Sequence, residues 1–182
     1  LIGAFHQPKA VLADTSLLAS LSIRELRAGY AEVVKYGLLG SDRFFAWLEK
    51  NSADVLSLKP DALTHAILSS CKAKARIVEA DEREAGKRAL LNLGHTFAHA
   101  FEAEAGYDGS LLHGEAVAVG MGLAFDLSVN LGICASNDAA RCKEHLQAVG
   151  LPARQASIAA GNVAASRLID HMKHDKKIHD GK

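Results

Sequence analysis

From residue 14 onward, apolar side chains return every three or four positions, the spacing of one face of an α-helix, and seldom at every second position. Only Ala10-Val11-Leu12-Ala13, just before the turn residues Asp14-Thr15-Ser16, reads as a short strand. Ser22 and Glu25 fit a capping box at the start of a helix over 23–39, with Leu21 and Leu26 as a hydrophobic staple and Gly40 as the stop. Ser41 or Asp42 caps a short second helix reaching 47, and Pro60-Asp61 opens a third that carries Ile67, Cys71, Lys74 and Val78. The charged stretch 81–88 reads as a loop. A long helix is expected over 89–105, ended by Gly106, and another over 114–131, ended by Gly132. Two more, over 137–149 and 162–174, are divided by Gly150-Leu151-Pro152. The pattern predicts one mainly α, multi-helix domain over 1–182 with a strand-like lead-in and no internal repeat.

Composition supports this reading. Three prolines in 182 residues, 49% apolar and 23% charged side chains and a mean hydropathy of +0.05 describe a globular domain long enough to bury a core. Basic and acidic side chains number 21 each, which argues against nucleic acid or an anionic membrane surface as the partner. No stretch approaches the ~20 consecutive apolar residues of a membrane-spanning helix, and no secretory signal is recognised at the start, so a cytoplasmic location is expected. Cys71, Cys134 and Cys142 form an odd set without a CxxC pair and read as free thiols in a reducing compartment. Nine histidines are left to explain.

On one continuous helix Arg88, Asn92, His95 and His99 step by four, three and four, so they form a single stripe. Leu90, Leu91, Leu93, Phe97, Ala100 and Phe101 cover most of the remaining circumference, which marks the helix as buried. A buried polar stripe must face partners or a polar cavity. Two imidazoles one turn apart can also hold a metal ion. The plainer alternative is a stripe facing solvent.

His113 precedes a helix rich in small residues, Gly114, Ala116, Ala118, Gly120 and Gly122, where backbones can approach closely. A helix N-terminus also favours the neutral, metal-binding imidazole. Glu32 and Lys35 have the i,i+3 spacing of an ordinary surface ion pair. Ala28, Gly29, Tyr36 and Leu39 around them suggest instead a face prepared for a close neighbour. One carboxylate and two imidazoles make a three-ligand zinc site with an open position, and by spacing Glu32, Glu102 and Glu115 all qualify as the carboxylate. His65 and His145 read as structural or exposed. His171, His174 and His179, among Lys173, Lys176 and Lys177, read as a solvated basic tail. Gly120-x-Gly122 lies within a helical pattern and is therefore no dinucleotide loop.

Six segments in order, LIGAFHQP over 1–8, ELRAGYAEVVKYG over 25–37, ADEREAG over 80–86, LLNLGHTFAH over 90–99, LHGEAVA over 112–118 and MKHDKK over 172–177, resemble the 3-dehydroquinate synthase family. The resemblance implies the C-terminal helical domain of a two-domain enzyme, with the Rossmann-like domain that makes most of the NAD contacts absent from this chain. It implies Glu32, His95 and His113 as zinc ligands, with cobalt as an alternative metal. Lys35, Lys74, Arg88, Asn92, His99, His113 and Lys176 would bind the substrate, with Lys177 the alternative to Lys176. His99, Glu84 and Lys35 would be catalytic, and Leu17, Leu18, Ala19 and Ser20 would line the cofactor site. Two positions depart from the family pattern, Ala98 where glycine is usual and Lys87 where an apolar residue is usual.

The activity so implied is conversion of the sugar acid phosphate DAHP to 3-dehydroquinate and phosphate by NAD-assisted oxidation, phosphate elimination, reduction and aldol closure. These 182 residues alone are expected to be inactive. The implied partner is a small-molecule substrate, and the family's habit of forming homodimers admits a second copy. A related sugar phosphate cyclase, a deoxy-inosose or amino-dehydroquinate synthase, is the runner-up. An inert helical association domain is the reading from a different class.

Overall fold

The computed structural model describes residues 6–83, 86–158 and 162–173. Seven α-helices follow in order among them: α1 (Ile23–Leu38), α2 (Asp42–Leu56), α3 (Pro60–Ala80), α4 (His95–Glu104), α5 (His113–Asn130), α6 (Ser136–Ala148) and α7 (Ala165–Lys173). Short 3-10 turns cover Thr15–Ser20, Lys87–Asn92 and Gln155–Ser157. No described helix is long and apolar enough to cross a membrane.

The capping box of α1 forms as expected. Glu25 N donates to Ser22 Oγ at 3.3 Å, and Ser22 N donates back to Glu25 Oε2 at 2.8 Å. Ser41 rather than Asp42 caps α2, accepting from Phe44 N at 3.3 Å. That helix runs beyond the expected stop at 47, because Leu48 and Val55 continue its buried face until Leu58 takes φ +58°. Helix α7 starts at Ala165, three residues later than the pattern suggested. The strand-like lead-in is not a strand. Val11 and Leu12 are 73% and 97% exposed, and an extended segment without a neighbour to pair with has nothing to hold it as sheet.

Helix α5 is the centre of the fold. Gly114 and every residue from 116 to 122 are buried, so it has no solvent face along that half. It packs against α1, α4 and α6; α2 lies on α1 and α3, and α7 lies on α4. Phe101, Leu48, Met121 and Leu146 are fully buried in this core, each contributing on the order of 1.5–3 kcal/mol. His145 belongs here too, buried with Nε2 3.1 Å from Tyr30 Oη, so it is structural. His65 is exposed and packs against Trp47, their ring centroids 4.3 Å apart and their planes tilted by 47°.

The largest departure from the sequence pattern lies at Gly94. The expected helix over 89–105 is two elements, the Lys87–Asn92 turn and α4, separated by Gly94 at φ +79°. The cause is tertiary. A Cβ on Gly94 would stand 2.7 Å from Met121 N, and one on Gly120 would stand 2.1 Å from Gly94 O. The chain therefore turns where it crosses the α5 backbone, and glycine supplies both the space and the left-handed dihedral.

Ala28 and Gly29 do not share one packed face either. Ala28 meets Gly114 on α5, whereas nothing lies within 4 Å of a Cβ built on Gly29, which lines an apolar cavity with Leu21, Leu26 and Tyr30. Glycine in a helix interior costs roughly 0.5–1 kcal/mol relative to alanine. Gly29→Ala is thus expected to raise stability by about that amount, read from the urea midpoint at unchanged m-value; a lowered midpoint would show that the open space is needed.

Candidate metal centre

Three elements converge on one point. Helix α1 supplies Glu32, α4 supplies His95 in its first turn, and α5 opens with His113. One ligand atom from each lies within 4.8 Å of the others. Nε2 of His95 and Nε2 of His113 are each 3.6 Å from Glu32 Oε1. Ligands of a tetrahedral zinc at ~2.0–2.2 Å stand about 3.4 Å apart, so these two separations are already of the right size.

The remaining atoms of the three side chains are engaged elsewhere. His95 Nδ1 lies 3.2 Å from the Leu93 carbonyl, and His113 Nδ1 lies 2.9 Å from Glu102 Oε1. Both acceptors require a proton on Nδ1, which leaves the Nε2 lone pairs directed at the shared point. Glu32 Oε2 is taken by the Lys35 ammonium at 2.5 Å. Glu32 Oε1 is buried without a hydrogen-bond partner. A buried carboxylate oxygen left unpaired is costly, and a divalent cation between it and two imidazole lone pairs removes that cost. The donor set fits zinc.

Electrostatics treat the two imidazoles differently. Burial acts to raise Glu32, but the His113 imidazole and the Lys35 ammonium outweigh it and hold the carboxyl down at about 2. His95 is pushed below the usual imidazole value by burial and then by Lys35. His113 is raised, chiefly by Glu32 and further by Glu102, against the effect of its partial burial; this reverses the neutral bias expected at a helix N-terminus, because two carboxylates face its ring.

Assembly in space separates the three carboxylates that spacing left equivalent. Glu115 is committed twice. It accepts from Leu112 N at 2.9 Å at the start of α5, and it forms a two-point ion pair with Arg24, both contacts 2.6 Å. Arg24 also donates to the Ser110 carbonyl at 2.7 Å, tying the chain before His113 to α1. Glu102 stands behind His113 rather than at the shared point. Neither the Arg24–Glu115 bridge, spanning 91 positions, nor the Leu93 carbonyl behind His95 carried a local sequence signal.

The stripe expected from helical spacing is only partly assembled by helix geometry. His95 and His99 remain one turn apart on α4, their rings 5.7 Å apart. Arg88 and Asn92 lie instead on the preceding 3-10 turn, which packs on α3. Leu90 there is 55% exposed, so this turn is not the buried cylinder expected. Asp81 organises the approach to it, its Oδ2 accepting from Gly86 N at 2.8 Å and Arg88 N at 2.9 Å. The Arg88 guanidinium donates to the Glu82 carbonyl at 2.6 Å.

Lys74 is exposed on α3, and Lys35 is buried beside Glu32. Leu17, Leu18, Ala19 and Ser20 lie on the first 3-10 turn, where Leu17 is 69% exposed and Leu18 packs on the core. Glu84, His174, Lys176, Lys177 and His179 lie outside the described residues. His171 is not part of a solvated tail. Its Nε2 reaches Glu104 at 3.1 Å, and Arg167 reaches the same carboxylate at 3.0 Å, which clasps α7 to the end of α4.

Comparison with known proteins gives a consistent picture. The sequence model of the family described as 3-dehydroquinate synthase C-terminal matches residues 29–178. The 3-dehydroquinate synthase of Rhodospirillum rubrum is 56% identical over 185 aligned positions, covering 100% of this chain and 48% of that protein. The one from Caulobacter vibrioides is 54% identical, covering 100% of this chain and 49% of the other. The chain thus spans about half the length of these relatives. Among solved structures, the 2-epi-5-epi-valiolone synthase ValA of Streptomyces hygroscopicus subsp. jinggangensis, with NAD+ and Zn2+ bound, superposes with a TM-score of 0.80 at 25% identity, covering 92% of this chain and 45% of that one. A 2-deoxy-scyllo-inosose synthase complexed with carbaglucose-6-phosphate, NAD+ and Co2+ gives a TM-score of 0.75 at 27% identity, covering 91% and 43%.

Proposed function

This chain belongs to the 3-dehydroquinate synthase C-terminal family, and from that premise we propose that its 182 residues form the metal- and substrate-binding unit of an enzyme converting DAHP to 3-dehydroquinate and phosphate. The observation that carries this reading is the buried, unpartnered Glu32 Oε1 facing Nε2 of both His95 and His113. Bound there, zinc would act as a Lewis acid toward the substrate's hydroxyl and developing carbonyl oxygens.

The chain's own residues would divide the remaining tasks. Lys35 holds the second Glu32 oxygen and keeps that carboxylate ionised. His99, one turn from His95, would take part in proton transfer at a ring nitrogen. Lys74, Arg88, Asn92 and Lys176 bind the substrate's phosphate, carboxylate and hydroxyls by charge-assisted hydrogen bonds, and Glu84 joins the acid–base set. Leu17 to Ser20 contribute to the NAD site, the rest of which would lie in a half of the enzyme that this chain does not span. On that account these residues alone turn over no substrate. The setting is the cytoplasm.

The structural likeness to an inosose synthase favours one competing reading, a related cyclase with another sugar phosphate as substrate. The 53–56% identity to dehydroquinate synthases, against 25–27% to the two cyclases of known structure, favours DAHP. The discriminating experiment supplies the NAD-binding half, with zinc and NAD, to the purified protein and follows product by chromatography. Dehydroquinate is expected from DAHP and no inosose from glucose 6-phosphate. The reverse outcome, or less than about one zinc per chain at saturation, overturns the reading.

A further inference from the structure

We infer that Glu102 is the positioning residue of the metal centre, the group that turns His113 into a preorganised ligand. The inference rests on the reading of Glu32, His95 and His113 as metal ligands. Glu102 lies two helical turns after His95 on α4, and its Oε1 sits 2.9 Å from His113 Nδ1. The same helix therefore presents one ligand directly and braces the other from behind.

The two histidines need different support. His95 is 12% exposed in its side chain, and a main-chain carbonyl fixed by the fold, that of Leu93, holds its Nδ1. The His113 side chain is 49% exposed at the first position of α5, where neighbours restrict the ring far less. Among the described residues, Glu102 is the hydrogen-bond partner of its Nδ1. A carboxylate whose side chain is only 14% exposed is expensive without a partner. Its pairing with Nδ1 selects the tautomer that leaves Nε2 free and orients that lone pair toward Glu32 Oε1. The neighbouring Glu115 cannot replace it, because both of its oxygens are held by Arg24 and the start of α5.

Zinc affinity of the purified protein, measured by competition with a chromophoric chelator, tests the assignment in Glu102→Ala and Glu102→Gln. Loss of such an outer partner typically weakens metal binding roughly 10–100-fold, the change expected for alanine. Glutamine, whose amide oxygen still accepts from Nδ1, is expected to retain part of it. The visible spectrum of the cobalt-substituted protein should keep its coordination number in both variants, and the metal-free melting temperature should stay at the parent value. Unchanged affinity in both variants overturns the inference. So does a cobalt spectrum that has lost a ligand, which would make Glu102 a ligand itself, and so does a fall in metal-free stability that accounts for the whole effect. A parent protein that binds no zinc overturns the metal-centre reading, and this inference with it.

Discussion

Gly114→Ala is expected to cost about 3 kcal/mol of stability or more and to abolish zinc binding. Helix propensity alone would favour alanine by roughly 1 kcal/mol, so the sign of the result is set by packing. A Cβ at 114 would stand 1.9 Å from the Ala28 carbonyl oxygen, 2.4 Å from its carbon and 2.6 Å from its Cα. These are backbone atoms that cannot rotate away. Overpacking a core usually costs 1–3 kcal/mol, and an obstruction made of main chain belongs at the top of that range. Relief requires α1 and α5 to separate. Glu32 is one turn beyond Ala28 on α1, and His113 immediately precedes Gly114 on α5, so the same displacement pulls two proposed ligands apart. Urea unfolding and zinc stoichiometry on one sample check both parts. A parental midpoint would mean that the two helices slide past each other cheaply. Gly29→Ala, one residue from Ala28 on the same helix, is expected to change stability in the opposite direction, because nothing faces its Cβ.

That contrast also separates what could be read from the sequence from what could not. Several helix ends were legible because their signals are local. The Ser22–Glu25 capping box and the glycines at 40, 106, 132 and 150, all at positive φ, act within a few residues of chain. Gly94 has the same chemistry, yet the run of leucines and the four-three-four spacing of 88, 92, 95 and 99 read straight through it. One glycine costs too little to break a helix by itself. Gly94 breaks this one because the backbone of Gly120 lies against it, 26 positions later. The candidate site behaved alike. Composition and spacing found every residue type of the Glu-His-His set but left three carboxylates level. They were separated by contacts between elements, Glu115 by Arg24 on α1 and Glu102 by His113 on α5. The family resemblance selected Glu32 in advance, and its Oε1 lies 3.6 Å from each of the two Nε2 atoms.

Glu32→Gln is expected to remove zinc binding and, separately, to destabilise the metal-free protein by about 1–3 kcal/mol, less than a fully buried ion pair would lose because the Glu32 side chain is 32% exposed and solvent screens part of the charge. Lys35 is the partner, its side chain 5% exposed and its ammonium 2.5 Å from Glu32 Oε2. Glutamine keeps the shape but not the charge, so the ammonium stays buried without compensation. The metal loss should exceed the ten- to hundredfold typical of an outer-shell substitution, because a ligand itself is gone. Lys35→Met in the same chain removes the stranded charge, and the double variant should regain most of the lost stability while still binding no zinc. Recovery of zinc binding along with stability would show that Glu32 acts through packing alone. Acid should reproduce the single variant. The folded Glu32 carboxyl is held at about 2 against an ordinary value of 4.5. Its contribution is therefore complete above the ordinary value and is lost as the pH falls from there toward 2. In the metal-free parent, acid titration followed by circular dichroism should show a larger loss of stability in that window than in the double variant, where other lowered carboxyls such as Glu49 and Glu115 still titrate.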